Sequence, residues 1–143
     1  AQFRAFFDYY DALVEESPLA REELELIIVA VSGANDCLYC VVAHGALLRL
    51  YSEDPHLAEE VATNYRTTDI SDAHRAVCDP AVTLTEDPVA VEQADIERLQ
   101  EHDFPLEALW DIGATAALST LSNRMAHLAD MRPNEEFYTL GRE

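Results

Sequence analysis

Residues 25–44 read ELIIVAVSGANDCLYCVVAH. The first half is apolar apart from Glu25 and far too short to span a bilayer, which is how a helix inside a protein core reads. Gly33 to Asp36 then supply a short turn, and helical spacing resumes to about Tyr51, so the stretch folds as an antiparallel helical hairpin whose inner faces touch. Cys37, Cys40 and His44 follow the pattern C-x2-C-x3-H, and residues three and four apart share one helical face. With Asn35 or Asp36 as the cap, Cys37 falls in the first turn, where free backbone N–H groups and the helix dipole favour a thiolate. His44, one turn beyond Cys40, is a candidate proton acceptor. Two thiols this close can close a disulfide, which makes the pair a two-electron switch.

Glu25 is the only charged residue between Leu24 and Asn35. A buried carboxylate needs a partner or a raised pKa, and from across the hairpin Glu25 can reach the thiols or His44, directly or through water. Two other readings remain open for these residues. Glu25 can be the last acid of a solvent-facing cluster with Glu22 and Glu23. Two Cys and a His can also supply three of four structural zinc ligands, with His74 or Cys78 as the fourth. Cys78 otherwise reads as a small buried hydrophobe. His56, His74, His102 and His127 read as surface or core histidines, and Trp110 and the first-helix aromatics as core or subunit contacts.

Outward from the hairpin the pattern stays helical. Phe3, Phe6, Phe7, Tyr10, Leu13 and Val14 give a first helix over about Phe3 to Glu16. Ser17 caps the second, with Pro18 in its first position, and that helix ends near Gly33. A fourth begins around Ser52 to Pro55 and stops near Asn64. A fifth follows the Ser71 cap and ends before Pro88, with Pro80 inside it predicting a kink. A sixth starts near Glu92 and breaks at His102 to Phe104. Pro105 then opens a long apolar helix from Leu106 to about Asp130, and the tail from Met131 reads as irregular. No stretch alternates apolar and polar residues long enough for a convincing strand, so the class is all-α, one helical domain over residues 1–143.

Composition bounds the function. With 49% hydrophobic and 26% charged residues the chain is neither disordered nor a coiled-coil rod. The formal net charge is −19, every basic residue is Arg, and such a surface excludes nucleic acid as a partner. The acids are spread from Asp8 to Glu143, as on a protein adapted to concentrated salt, where a Debye length of roughly 3 Å at 1 M screens the self-repulsion. Three cysteines do not make a secreted disulfide framework, and no signal-peptide pattern opens the sequence, so the expected compartment is a reducing cytoplasm, with no membrane partner.

On the residues Glu25, Cys37, Cys40 and His44, spaced E-x11-C-x2-C-x3-H, the chain resembles the carboxymuconolactone decarboxylase superfamily, within it the alkylhydroperoxidase D-like, peroxidase-related branch. A weaker likeness continues through Leu84 to Pro88 and Ser122 to Ala129. The resemblance implies an all-helical homo-oligomer, a trimer or hexamer, with the thiol pair near a subunit contact, and a peroxidase working without haem, metal or other cofactor. It implies Cys40 as the peroxide-attacking thiol, Cys37 as its disulfide partner, and Glu25 with His44 as a proton relay. Tyr39 stands where the best-known alkylhydroperoxidase D members have a His, and tyrosine is a poor base at neutral pH. The decarboxylase members lack the thiol pair, so decarboxylation does not carry over. The function expected is a thiol peroxidase reducing an alkyl hydroperoxide or hydrogen peroxide, its disulfide restored by a dithiol donor. The alternatives are a general dithiol-disulfide oxidoreductase and a non-catalytic redox-sensing oligomer.

Overall fold

The computed structural model describes residues 1–142, and among them every regular element is helical. Eight α-helices follow in order: α1 Gln2–Glu16, α2 Arg21–Ala34, α3 Leu38–Ser52, α4 Leu57–Asn64, α5 Asp72–Glu86, α6 Gln93–Glu101, α7 Leu106–Leu128 and α8 Glu135–Thr139. None is long and apolar enough to cross a membrane.

The central element is α2, buried continuously from Leu24 to Ser32 and packed against α3, α4, α5 and α7. It separates two cores. Leu24, Ile27 and Val31 face Val77 and Ala81 of α5, Leu99 of α6 and Ile112 and Ala116 of α7. Leu26, Val29 and Ala30 face Leu48 of α3, Leu57 and Val61 of α4, and Cys78 and Val82 of α5. A helix with a core on each side has no solvent face, which is why its sequence is apolar all round. The approach to α4 is so close that a Cβ at Gly33 would stand 2.2 Å from the Ala62 carbonyl oxygen, so only glycine fits there.

Several sequence-based boundaries shift. Ser17 does not cap α2. Its N–H closes the end of α1 on the Leu13 carbonyl, its hydroxyl accepts from Leu19 N–H, and α2 starts only at Arg21, where Glu23 accepts from the Ala20 N–H at 3.2 Å. Pro18 therefore lies in the link between the helices. Neither Asn35 nor Asp36 caps α3. Asp36 adopts a left-handed φ of 54°, its N–H bonds Gly33 O, and the Cys37 N–H bonds Ser32 O at 2.9 Å, the pair of bonds that closes a helix C-terminus. The cap of α3 is Cys37 itself. α5 holds Pro80 within it, as the sequence places it. The tail is not irregular: α8 is held on α3 by Arg49, a buried cation that donates to the carbonyls of Leu140 at 2.9 Å and Phe137 at 2.7 Å. Ser71 caps α5 as its sequence predicts, its hydroxyl accepting from His74 N–H at 3.1 Å.

Candidate active site

Glu25 is fully buried, so the solvent-facing reading fails. Its first carboxylate oxygen accepts from the Tyr10 hydroxyl at 2.6 Å and from Arg21 Nε at 3.2 Å, and its second lies 2.8 Å from His44 Nδ1. Arg21 also donates to the Tyr10 hydroxyl at 2.7 Å and lies over the Tyr10 and Tyr51 rings. Burial alone would push the Glu25 carboxyl up. The hydrogen bond and charge of His44, the Tyr10 hydroxyl and the Arg21 guanidinium outweigh it and hold the group below its ordinary value. The phenol of Tyr10 is pushed up, by burial first and then by the Glu25 charge, and so remains a donor. Since an ionised carboxylate only accepts, His44 Nδ1 carries a proton toward Glu25, and in the neutral ring the other nitrogen is an acceptor.

The sulfurs occupy the start of α3. Cys37 accepts from the Cys40 N–H at 3.4 Å, fixing one sulfur against the helix terminus, and both residues are 2% exposed and packed with Ala126 and Tyr39. The sequence argument made Cys37 the favoured thiolate, and its surroundings in the structure oppose that. Burial, then hydrogen bonding with Cys40, push its thiol up to about 11, and the opposing hydrogen bonds from the Cys40 backbone and the Asn123 amide do not compensate. The Cys40 sulfur also lies 3.6 Å from the Ser122 hydroxyl of α7.

A cavity of about 160 Å³ opens between α1, α2, α3 and α7. Cys40, His44, Tyr39 and Ser122 line it among mainly apolar side chains, whereas Cys37 and Glu25 do not. The site is thus layered: Cys40 and His44 at the cavity, Cys37 behind one and Glu25 behind the other. His74 and Cys78 are not brought to the pair. Cys78 is fully buried in the core between α2 and α5, its thiol pushed up to about 12 by burial and the Asp79 charge, and no group of three or more Cys, His, Asp or Glu among the described residues is arranged to hold a metal.

Sequence reasoning missed Tyr10, Arg21, Ser122 and Asn123. Arg21 carried a local signal, four residues before Glu25 on one helix. Ser122 and Asn123 interrupt the apolar face of α7, and Asn123 is fully buried, donating to Ser32 Oγ at 3.0 Å and accepting from Asn35 at 2.9 Å. Tyr10 carried none. Trp110 is 78% exposed and takes no part in the core.

The family model of the carboxymuconolactone decarboxylase family matches residues 2–81. Among solved structures, the chain is 50% identical to an uncharacterized peroxidase-related protein from Ralstonia eutropha JMP134, described as an alkylhydroperoxidase AhpD core. The match covers 99% of this chain and 75% of that one with a TM-score of 0.95. An uncharacterized peroxidase-related protein from Silicibacter sp. TM1040 is 37% identical, over 99% of this chain and 74% of that one, with a TM-score of 0.93. The debrominase Bmp8 shares the fold, at 19% identity and a TM-score of 0.78 over 96% of this chain and 73% of that one. No curated protein matches. With a family match over more than half its length and close relatives along almost all of it, the chain belongs to the carboxymuconolactone decarboxylase family, in its alkylhydroperoxidase D-like, peroxidase-related branch.

Proposed function

We propose that the protein is a thiol peroxidase in which Cys40 attacks the peroxide. The observation that carries this reading is that Cys40 and His44 line the cavity while Cys37, held as the cap of α3, stays out of it. The free nitrogen of His44 accepts the Cys40 proton, and Glu25 stabilises the imidazolium that results. The thiolate then attacks the distal oxygen of ROOH. The O–O bond breaks, sulfur is oxidised to the sulfenic acid Cys40–SOH, and the departing RO⁻ takes the proton from His44 as ROH. The Cys37 thiol condenses with the sulfenic acid, releasing water and leaving the disulfide. A dithiol donor restores both thiols and becomes a disulfide itself.

Anaerobic titration of the reduced protein with alkyl hydroperoxides and hydrogen peroxide, with free thiols counted, tests the reading. It predicts fast loss of two thiols per chain and a Cys37–Cys40 linkage on peptide mapping. Slow loss with fast exchange against dithiols would instead support a general disulfide oxidoreductase, and a linkage through Cys78 would overturn the site.

The same proposal covers the setting: a single cytoplasmic domain, assembled as a homo-oligomer in concentrated salt. Phe3, Trp110, Leu106 and Leu128 are all more than 60% exposed, apolar surface that copies of the chain would cover. The net charge of −19 per chain opposes such assembly unless salt screens it. Dilution from molar to low salt is expected to dissociate or unfold the protein, as read by light scattering. An assembly equally stable in both would remove the salt argument.

A further inference from the structure

Cys40 forms a negative charge only on reacting, and most of its surroundings cannot answer that charge. The cavity wall is mainly apolar and, among the described residues, carries no arginine. The Cys40 N–H in the first turn of α3 is already engaged, donating to the Cys37 sulfur at 3.4 Å. The basic side chains of α7 near the hairpin turn to Asn35: Arg124 donates to its side-chain oxygen at 3.3 Å, and His127 Nε2 lies 3.0 Å from its carbonyl. What α7 does bring to the sulfur is the Ser122 hydroxyl, at 3.6 Å, and both groups line the cavity.

A helical serine can satisfy its hydroxyl within its own helix, on the carbonyl four residues back. Ser119 does so, donating to Thr115 O at 2.7 Å. Ser122 reaches Cys40 across 82 residues instead. Between a hydroxyl and a thiol either group can donate, but a thiolate only accepts, so ionisation of Cys40 fixes Ser122 as the donor. Hydrogen bonds to charged groups are the stronger class, and apolar surroundings strengthen them further. The contact therefore tightens when the Cys40 proton leaves for His44.

We infer that Ser122 is a catalytic residue: its hydroxyl hydrogen-bonds the Cys40 thiolate and so raises the fraction ionised at a given pH. The inference deepens the thiol-peroxidase reading and rests on it for the peroxide step alone. Ser122 exchanges no proton, and the bond changes at sulfur are those given above. The other titratable groups around the sulfur are Cys37, Tyr39 and His44 on α3 and Tyr10 on α1, with Glu25 of α2 acting through His44. At the cavity α7 contributes only uncharged side chains.

Ser122→Ala tests this, since alanine suits a helix better than serine and the melting temperature is expected to hold or rise. The reduced protein is alkylated with iodoacetamide across pH, and the label on each cysteine is quantified. In Ser122→Ala the half-labelling pH of Cys40 is expected to rise by about one unit, a roughly tenfold loss of thiolate at lower pH and the low end for a hydrogen bond to a charged group. Ser122→Thr, which keeps the hydroxyl, is expected to follow the wild type. A more basic thiolate is also the better nucleophile, with a logarithmic slope of about 0.5. Peroxide-driven thiol loss in Ser122→Ala should therefore be about threefold slower than wild type below the midpoint and about threefold faster above it. A variant that merely packed badly would not make the two curves cross. An unmoved Cys40 labelling profile, or the same displacement in Ser122→Thr, would overturn the inference. Two-thiol oxidation by hydrogen peroxide with unmoved labelling would sink only the role of Ser122. A displaced Cys40 profile without any peroxide reaction would sink only the peroxidase reading.

Discussion

The carboxylate end and the sulfur end of the site lie side by side on the α2–α3 hairpin and are built on opposite plans. At Glu25 a permanent charge is buried, and partners from three helices close on it at 2.6 to 3.2 Å. At the thiols there is no permanent charge. Cys40 lies 3.6 Å from the Ser122 hydroxyl and against its partner thiol, and Cys37 is packed as a small apolar group whose sulfur caps a helix. A charge that is always present has to be compensated by the fold in advance, whereas one that appears only during reaction can be served by moving a proton away. The two plans meet at His44, which touches Glu25 and lines the cavity beside Cys40.

The strongest way to break this contrast is to remove the proton path and leave the fold. Glu25→Gln and His44→Gln are each expected to slow peroxide-driven thiol loss by about 10² to 10⁴, the usual contribution of general acid–base catalysis, with helicity retained. Unchanged rates in both would reduce the constellation to a thiol pair on a helix. The sulfur end is probed by alkylation of the reduced protein across pH, with the modified peptides quantified. Cys37 is expected to reach half-labelling only near pH 11, against about 8.5 for an ordinary thiol. Half-labelling near 8.5 would return Cys37 to the role of favoured thiolate.

Tyr10→Phe sharpens the comparison at the carboxylate end. It removes one donor from a buried charge and is expected to cost about 1.5 to 3 kcal/mol in urea unfolding at neutral pH. The sign with pH follows from Glu25, whose folded carboxyl lies below its ordinary value. Its stabilising contribution is present above the unfolded value of about 4.3 and is lost as pH falls through the lower folded one. The gap between wild type and Tyr10→Phe should therefore narrow in acid, and a gap constant down to pH 2 would mean that the tyrosine acts by packing alone. The smallest effect is expected at the turn between the two ends. Asp36 holds a left-handed φ of 54°, so Asp36→Gly should stabilise the hairpin, by no more than about 1 kcal/mol, without altering thiol reactivity.

How much of this was legible depends on distance along the chain. Helices α1, α3 and α5 to α7 were readable within two residues or so, because capping and apolar spacing are local, and Ser71 shows a cap doing what its residue type suggests. Ser17 misled because the same hydroxyl also suits a turn, and only the packing of α1 decides between them. α8 had no apolar pattern of its own. It is set by Arg49, which meets its carbonyls from about 90 residues earlier and whose need for partners arises only once it is buried.

The sequence alone determined the all-helical class, the hairpin, and the shared face of Cys40 and His44, since these follow from 3.6 residues per turn and a short connection. It also singled out Glu25, because one charge in an apolar run must be answered somewhere. Which groups answer it, and which cysteine meets the cavity, only the tertiary structure decided. Tyr10 reaches Glu25 across 15 residues, Ser122 reaches Cys40 across 82 and Asn123 reaches Ser32 across 91. No local periodicity encodes those separations; they exist because α1 and α7 close with the hairpin around one cavity.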